Sequence, residues 1–206
     1  DKEISKYLCS SFSMDREPDN WSDIVDTKIA EIITFLDKKL IMEHCNMIHS
    51  MNTFPNNIIQ PGVSTELDKS ITTYNTAQSN FKEIQEFLNG IINFNENTSS
   101  PTEYIKIHET EKSGLSLVIT TTRLAKLKHW VAVGTTSTKQ KDRILPINDN
   151  LSINLDELKY VKSSGTNYEI VFPELTDTCK TILYYKGFLN KLIAETYIQV
   201  LAELDD

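Results

Sequence analysis

Glycine and proline are scarce, at six residues each in a chain of 206. Few tight turns or close backbone approaches can be built from so few, which weighs against a β-sandwich or an α/β enzyme. Apolar residues make up only 39%, low for a densely cored domain. Both shortages suit long amphipathic helices. Long apolar runs are missing: stretches such as Ile32-Ile33 and Ile91-Ile92 cannot span a bilayer, so no membrane partner is expected. No charged-then-apolar leader opens the sequence, and Asn97-Thr98-Ser99 reads as a chance sequon. Cys9, Cys45 and Cys179 are odd in number and far apart, with no CxxC pair. They are read as reduced thiols of an intracellular protein, with nucleus, organelle and virus-infected cytoplasm not distinguished. The abrupt start and a mid-helix ending at Leu204-Asp205-Asp206 suggest an excised piece of a longer chain.

Catalytic signatures are lacking too. Nothing fits GxxxxGK[ST], GxGxxG, HExxH or a GxSxG elbow, so neither catalytic nor cofactor-binding residues are assigned. The one metal-like cluster is His44-Cys45-His49. Cys45 and His49 share a helix face at four-residue spacing while His44 points elsewhere, and two ligands do not make a zinc site. Asp15, Glu17 and Asp19 form a solvated acidic stretch, and His108 and His129 stand alone. The expectation is a non-enzymatic chain that holds no metal or cofactor.

Cations are outnumbered, giving a formal charge of −8. Their distribution is uneven. Glu103 to Phe172 holds ten Lys/Arg against eight Asp/Glu, a net of +2, and the remainder eleven against twenty-one, a net of −10. Arg123 to Arg143 alone has six basic residues and one acid, Asp142. A cationic segment on an acidic chassis points to a localised anionic partner, whereas on charge alone a solvated helix face is the plainer reading. Trp130, Tyr160 and Tyr168 lie near these cations. Such aromatics can stack on bases, but a four-strand sheet needs large apolar side chains, so they are assigned to its core.

What is present is periodicity. Ser22 precedes Ile24, Val25, Ile29, Ile32, Ile33, Leu36, Leu40 and Ile41, whose spacing predicts a helix reaching about Ser50. Pro55, Asn56-Asn57 and Pro61-Gly62 break the chain. A second, long helix starts near Ser64 and carries Leu67, Ile71, Tyr74, Phe81, Ile84, Phe87, Leu88 and Ile91, ending before Asn93. The period then changes. Tyr104–His108 and Leu115–Ile119 read as a hairpin, and Thr122 to about Trp130 as a short basic helix. Gly134–Asp156 reads as a loop excursion, and Leu158–Lys162 and Tyr168–Phe172 as two further strands. Pro173 opens a last helix through Leu175, Cys179, Ile182, Leu189, Ile193, Val200 and Leu204. The expected fold is α+β, a long-helix stalk with a small antiparallel β-sheet at its tip.

Four segments resemble the MutS family of DNA mismatch repair proteins, in the family's order. Ile58-Ile59-Gln60-Pro61-Gly62-Val63-Ser64-Thr65-Glu66-Leu67-Asp68 resembles the turn that launches the family's lever helix. Gly114-Leu115-Ser116-Leu117-Val118-Ile119-Thr120 is similar to the strand after that helix. Thr121-Thr122-Arg123-Leu124-Ala125-Lys126-Leu127 is similar to the following short helix, and Phe172-Pro173-Glu174-Leu175 to the entry of the returning lever helix. The likeness spans about Ile58 to Leu204. Two departures from the family pattern stand out, a longer 134–156 loop and a turn reduced to Lys162-Ser163-Ser164-Gly165-Thr166-Asn167, and the unusual composition suggests a divergent member, viral or organellar.

The resemblance implies outgoing lever helices over 1–102, a clamp domain over 103–172 and a returning lever helix over 173–206. It implies no activity in this chain itself. The parent protein would be a DNA-dependent ATPase, binding ATP and Mg in a domain not contained here, and a dimer with a partner of the same family that closes around duplex DNA. The residues expected on the DNA phosphate backbone are Arg123, Lys126, Lys128, Lys139, Lys141, Arg143, Lys159 and Lys162, with Ser163, Thr166 and Asn167 adding polar contacts. The rival reading is a helical dimerisation and protein-interaction module that binds no DNA. A cryptic enzyme built on His44, Cys45 and His49 is a weaker third.

Overall fold

A computed structural model describes residues 21–96, 103–111, 114–137 and 143–205. The fold is α+β, with long helices, a four-stranded antiparallel sheet and a separate two-stranded one. Helix α1 spans Trp21–Lys39 and a short α2 Met42–Cys45. Helix α3 spans Thr65–Glu96. Strands β1 (Lys106–Thr110) and β2 (Gly114–Thr120) form a hairpin, and β2 runs directly into α4 (Thr121–Ser137). Strands β3 (Ile144–Asn148) and β4 (Leu151–Asn154) form a second hairpin. After a 3-10 turn at Leu155–Glu157 come β5 (Lys159–Ser164), β6 (Asn167–Val171) and α5 (Pro173–Asp205).

The chain divides into two compact units, 1–64 with 192–206, and 65–191. Sequence period changes at 103 and 172, but packing draws its boundaries elsewhere. In the larger unit the sheet and the helices share one core. Phe81, Ile84, Leu88 and Ile92 of α3 pack with Leu117, Ile119 and Ile170 of the sheet, Leu127 of α4, Ile153 of β4, and Leu175 and Ile182 of α5. Burying each such side chain stabilises the fold by roughly 1.5–3 kcal/mol before entropy is counted. Trp130, Tyr160 and Tyr168 lie partly buried against this core, as assigned from sequence.

The sheet order is β1-β2-β6-β5, with every pair antiparallel. The register sets Leu117 opposite both Ile107 and Ile170, and Tyr160 opposite Ile170, so these side chains share a face. Gly165 turns β5 into β6 with φ +50°, a left-handed conformation that glycine adopts without strain. Pro61 and Gly62 (φ +88°) follow type II turn chemistry ahead of α3, and Val63 N–H donates to Gln60 O at 3.3 Å. Glu66 and Asp68 then sit in the first turn of α3, where the helix dipole favours negative charge.

In the smaller unit the buried apolar side chains are Leu40, Ile58, Ile59, Leu192, Ile193 and Val200. Three sequence expectations need correction. The first helix stops at Lys39 and does not run to about Ser50. Leu40 bridges Ile59, Ile41 N–H donates to Ile58 O at 2.8 Å, and Gln60 N–H donates to Lys39 O at 2.9 Å, so bonds from a distant segment take over the backbone groups that would continue the helix. The basic helix α4 extends past Trp130 to Ser137. And 134–156 is no simple loop, since it contains the end of α4 and the β3–β4 hairpin, in which Leu151 and Ile153 are buried.

Candidate nucleic-acid interface

The start of α4 is fixed by the sheet beside it. Thr120 pairs with Asn167, which sets the next residue, Thr121, against Thr166. The backbone N–H of Thr121 donates to Thr166 O at 2.8 Å, and the Thr121 hydroxyl donates to the same oxygen at 2.9 Å. These bonds hold the β5–β6 turn against the first turn of α4. They bring Thr166 to residues more than forty positions earlier in the chain.

An open pocket of about 480 Å³ results, lined by Tyr104, Thr120, Thr121, Thr122, Arg123, Lys126 and Thr166. Its lining is cationic and hydroxyl-rich and includes no carboxylate. Arg123 and Lys126 are three apart on one helix face and both line it. The Arg123 guanidinium lies 4.7 Å from the centre of the Tyr104 ring, a cation–π contact between two residues that both line the pocket.

A second group lies along β5. Lys128 Nζ sits 5.1 Å from the Tyr160 ring centre. Burial pushes the Tyr160 hydroxyl above its ordinary value of 10.0, so the ring stays neutral beneath the lysine. Lys162, two residues on and opposite Tyr168, shares the Tyr160 face, and Lys159, opposite Val171, is on the other. The irregularity in β5 falls between Lys162 and Ser164 and leaves this alternation intact.

The other expected residues differ in what they already hold. Ser163 Oγ donates to Asn167 O at 3.3 Å, and Asn167 is half-buried. Arg143 Nε lies 2.6 Å from Asp156 Oδ1, an ion-pair distance without hydrogen-bond alignment, so its charge is locally offset. Lys139 and Lys141 lie outside the described residues. The structure therefore groups Arg123, Lys126 and Thr166 at one pocket, and Lys128 with Lys162 beside Tyr160.

Sequence reasoning missed Tyr104, Thr120, Thr121 and Thr122 as pocket residues. Tyr104 is nineteen positions before Arg123, and no local pattern links them. Thr120 was legible as the strand's last residue, but not as pocket lining.

Among the described residues no group of three or more His, Cys, Asp or Glu could hold a metal. His44 Nδ1 is hydrogen-bonded at 2.6 Å to the backbone oxygen of Asn57. Cys45 and Cys179 are free thiols, and Cys9 lies outside the described residues. No described helix is long and apolar enough to cross a membrane. Neither the protein-family models nor the curated proteins compared with this sequence give a match.

Proposed function

We propose that the chain is a MutS-like lever and clamp segment that grips the phosphate backbone of duplex DNA without reading its sequence. The observation that carries this reading is the pocket at the start of α4. Arg123 and Lys126, three apart on one helix, and Thr166, from a turn some forty residues later, line one carboxylate-free cavity on an otherwise acidic chain. Guanidinium, ammonium and hydroxyl donors are the groups that bind phosphate oxygens, and such contacts fix position without specifying bases. Lys128 and Lys162 would extend the contact along β5. The lever role, the dimer partner of the same family and the ATP- and Mg-binding domain of a parent protein are carried by the motif resemblance alone.

Fluorescence anisotropy on two unrelated duplexes of roughly 20 base pairs tests the binding. With two to four phosphates neutralised, log K falls with log salt at a slope of about −2 to −4. Equal affinity for both duplexes is expected. Binding that ignores salt, or that prefers one sequence strongly, would overturn the proposal.

A further inference from the structure

Methionine is concentrated in one place. Three of the chain's four methionines, Met42, Met47 and Met51, fall within ten residues. The same ten hold His44, Cys45 and His49, two of its four histidines and one of its three cysteines. The segment is α2 and the turns after it, within the smaller unit. Its base is closed by the Leu40–Ile59 bridge and by Ile41 N–H on Ile58 O. The methionines are not spent on packing: Met42 is 43% exposed, and Met47 and Met51 are 40% exposed. Apolar side chains exposed singly are ordinary, but three thioethers on one short segment are a cluster.

The backbone keeps the segment tight. Met47 N–H donates to His44 O at 3.1 Å and Ile48 N–H to Cys45 O at 3.2 Å, so α2 continues in three-residue turns. At that spacing His44 neighbours Met47, and Met42 neighbours Cys45 within α2. A bond from Thr53 N–H to Ser50 O, at 3.5 Å, folds the chain back at Met51. His44 is half-buried, and its Nδ1 lies 2.6 Å from Asn57 O. A carbonyl oxygen only accepts, so Nδ1 carries the proton and Nε2 is the nitrogen open to a ligand. A carbonyl on the far nitrogen is also what orients a metal-binding imidazole.

The two-ligand limit that argues against zinc counts nitrogen, carboxylate and thiolate donors. So does the lack of a His, Cys, Asp or Glu triad among the described residues. Thioethers lie outside both. They are neutral, polarizable donors that suit monovalent copper. We propose that residues 42–51 bind one Cu(I) ion through soft donors drawn from His44 Nε2, the Cys45 sulfur and the thioethers of Met42, Met47 and Met51. Cys45 is a free thiol, and it releases its proton to solvent when it ligates. No residue of this set lines the pocket at the start of α4, so the site stands independently of the DNA reading.

The probe is Cu(I) kept reduced by ascorbate and titrated into the whole chain against a chromophoric Cu(I) chelator. A background of Cys9→Ser/Cys179→Ala removes the two other thiols. Uptake of one Cu(I) per chain is expected there, with no displacement by an equal amount of zinc. Met42→Leu/Met47→Leu/Met51→Leu keeps side-chain volume at exposed positions, and it should bind at least tenfold more weakly. Cys45→Ser should weaken binding by a similar factor. Methyl NMR of the wild-type chain needs no variant to fold: the signals of Met47 and Met51 should shift on addition of Cu(I) and return when the chelator is in excess. No uptake in the two-cysteine background, equal affinity in the leucine variant, displacement by zinc, or unmoved methyl signals would overturn the proposal.

Discussion

A single amide oxygen, Oδ1 of Asn89, accepts the N–H groups of both Tyr104 and Ile105, each at 2.8 Å. One turn earlier, Gln85 Nε2 donates to Ile105 O at 2.8 Å and to Glu103 at 2.7 Å. Together they tie the chain entering β1 to α3, where backbone groups would otherwise be buried beside a helix that cannot bond them. Tyr104 is also the ring beneath Arg123, so this tether sets the floor of the candidate pocket. Asn89→Ala strips one acceptor from two buried donors. The expected loss is about 2–4 kcal/mol, since each unmet buried N–H costs roughly 1–3 kcal/mol. Urea unfolding measures it, and a loss below about 1 kcal/mol would show that those N–H groups find other acceptors. Nothing in the sequence marked this role. Asn89 sits in a helix polar on most faces, and its partners lie fifteen and sixteen residues away.

At the scale of elements, hydrophobic period was a good guide where one face is buried and the other wet. It located α3, both strands of the first hairpin, β5, β6 and α5 to within a few residues. It failed at β3–β4 because Pro146 and Asn148-Asp149-Asn150 look like loop chemistry. Pro146 is accommodated opposite Ser152 in a two-stranded ribbon, next to a register shift that needs no regular ladder. The alternation of Leu151 and Ile153 was there to read, but only two residues long. The hairpin is also held by a contact no period could show: Asn148 Nδ2 donates to Glu83 of α3. That bond, and a second from Ser79, hold the Glu83 carboxyl below its ordinary 4.5. A depressed carboxyl contributes stability that is present above the unfolded value and lost as pH falls through the folded one. Amide exchange at Leu145 and Ile153 should therefore gain an acid-induced acceleration as pH drops below 4.5, where Glu83 protonates. In Asn148→Ala that pH dependence should be largely gone. Matching profiles for the two proteins would mean that Glu83 does not hold the hairpin.

For the whole molecule the question is how an acidic protein could hold an acidic polymer. A net charge of −8 repels DNA at long range, so the proposed binding would have to come from a local field within a Debye length, about 8–10 Å at ordinary salt. The cationic segment of that field was legible in composition, because Arg123 to Arg143 stands out against its surroundings. Its division into sites was not legible, since charge counts carry no direction. Register supplies the direction, with Lys162 beside Tyr160 and Lys128 on the α4 side, and Lys159 on the opposite face. This yields a test that separates a binding face from mere net charge. Lys126→Glu/Lys128→Glu alters two exposed side chains whose backbone stays helical. If each contacts a phosphate, the salt slope should flatten by about 2, one per lost contact, with affinity falling at least tenfold at low salt. Lys159→Glu changes net charge by the same amount per substitution, but on the other face of β5. It should weaken binding less than either α4 change alone and leave the slope within about half a unit of wild type. Should Lys159→Glu flatten the slope as much as one α4 lysine does, DNA would be responding to total charge, and the face through Arg123, Lys126, Lys128 and Lys162 would not be its binding site.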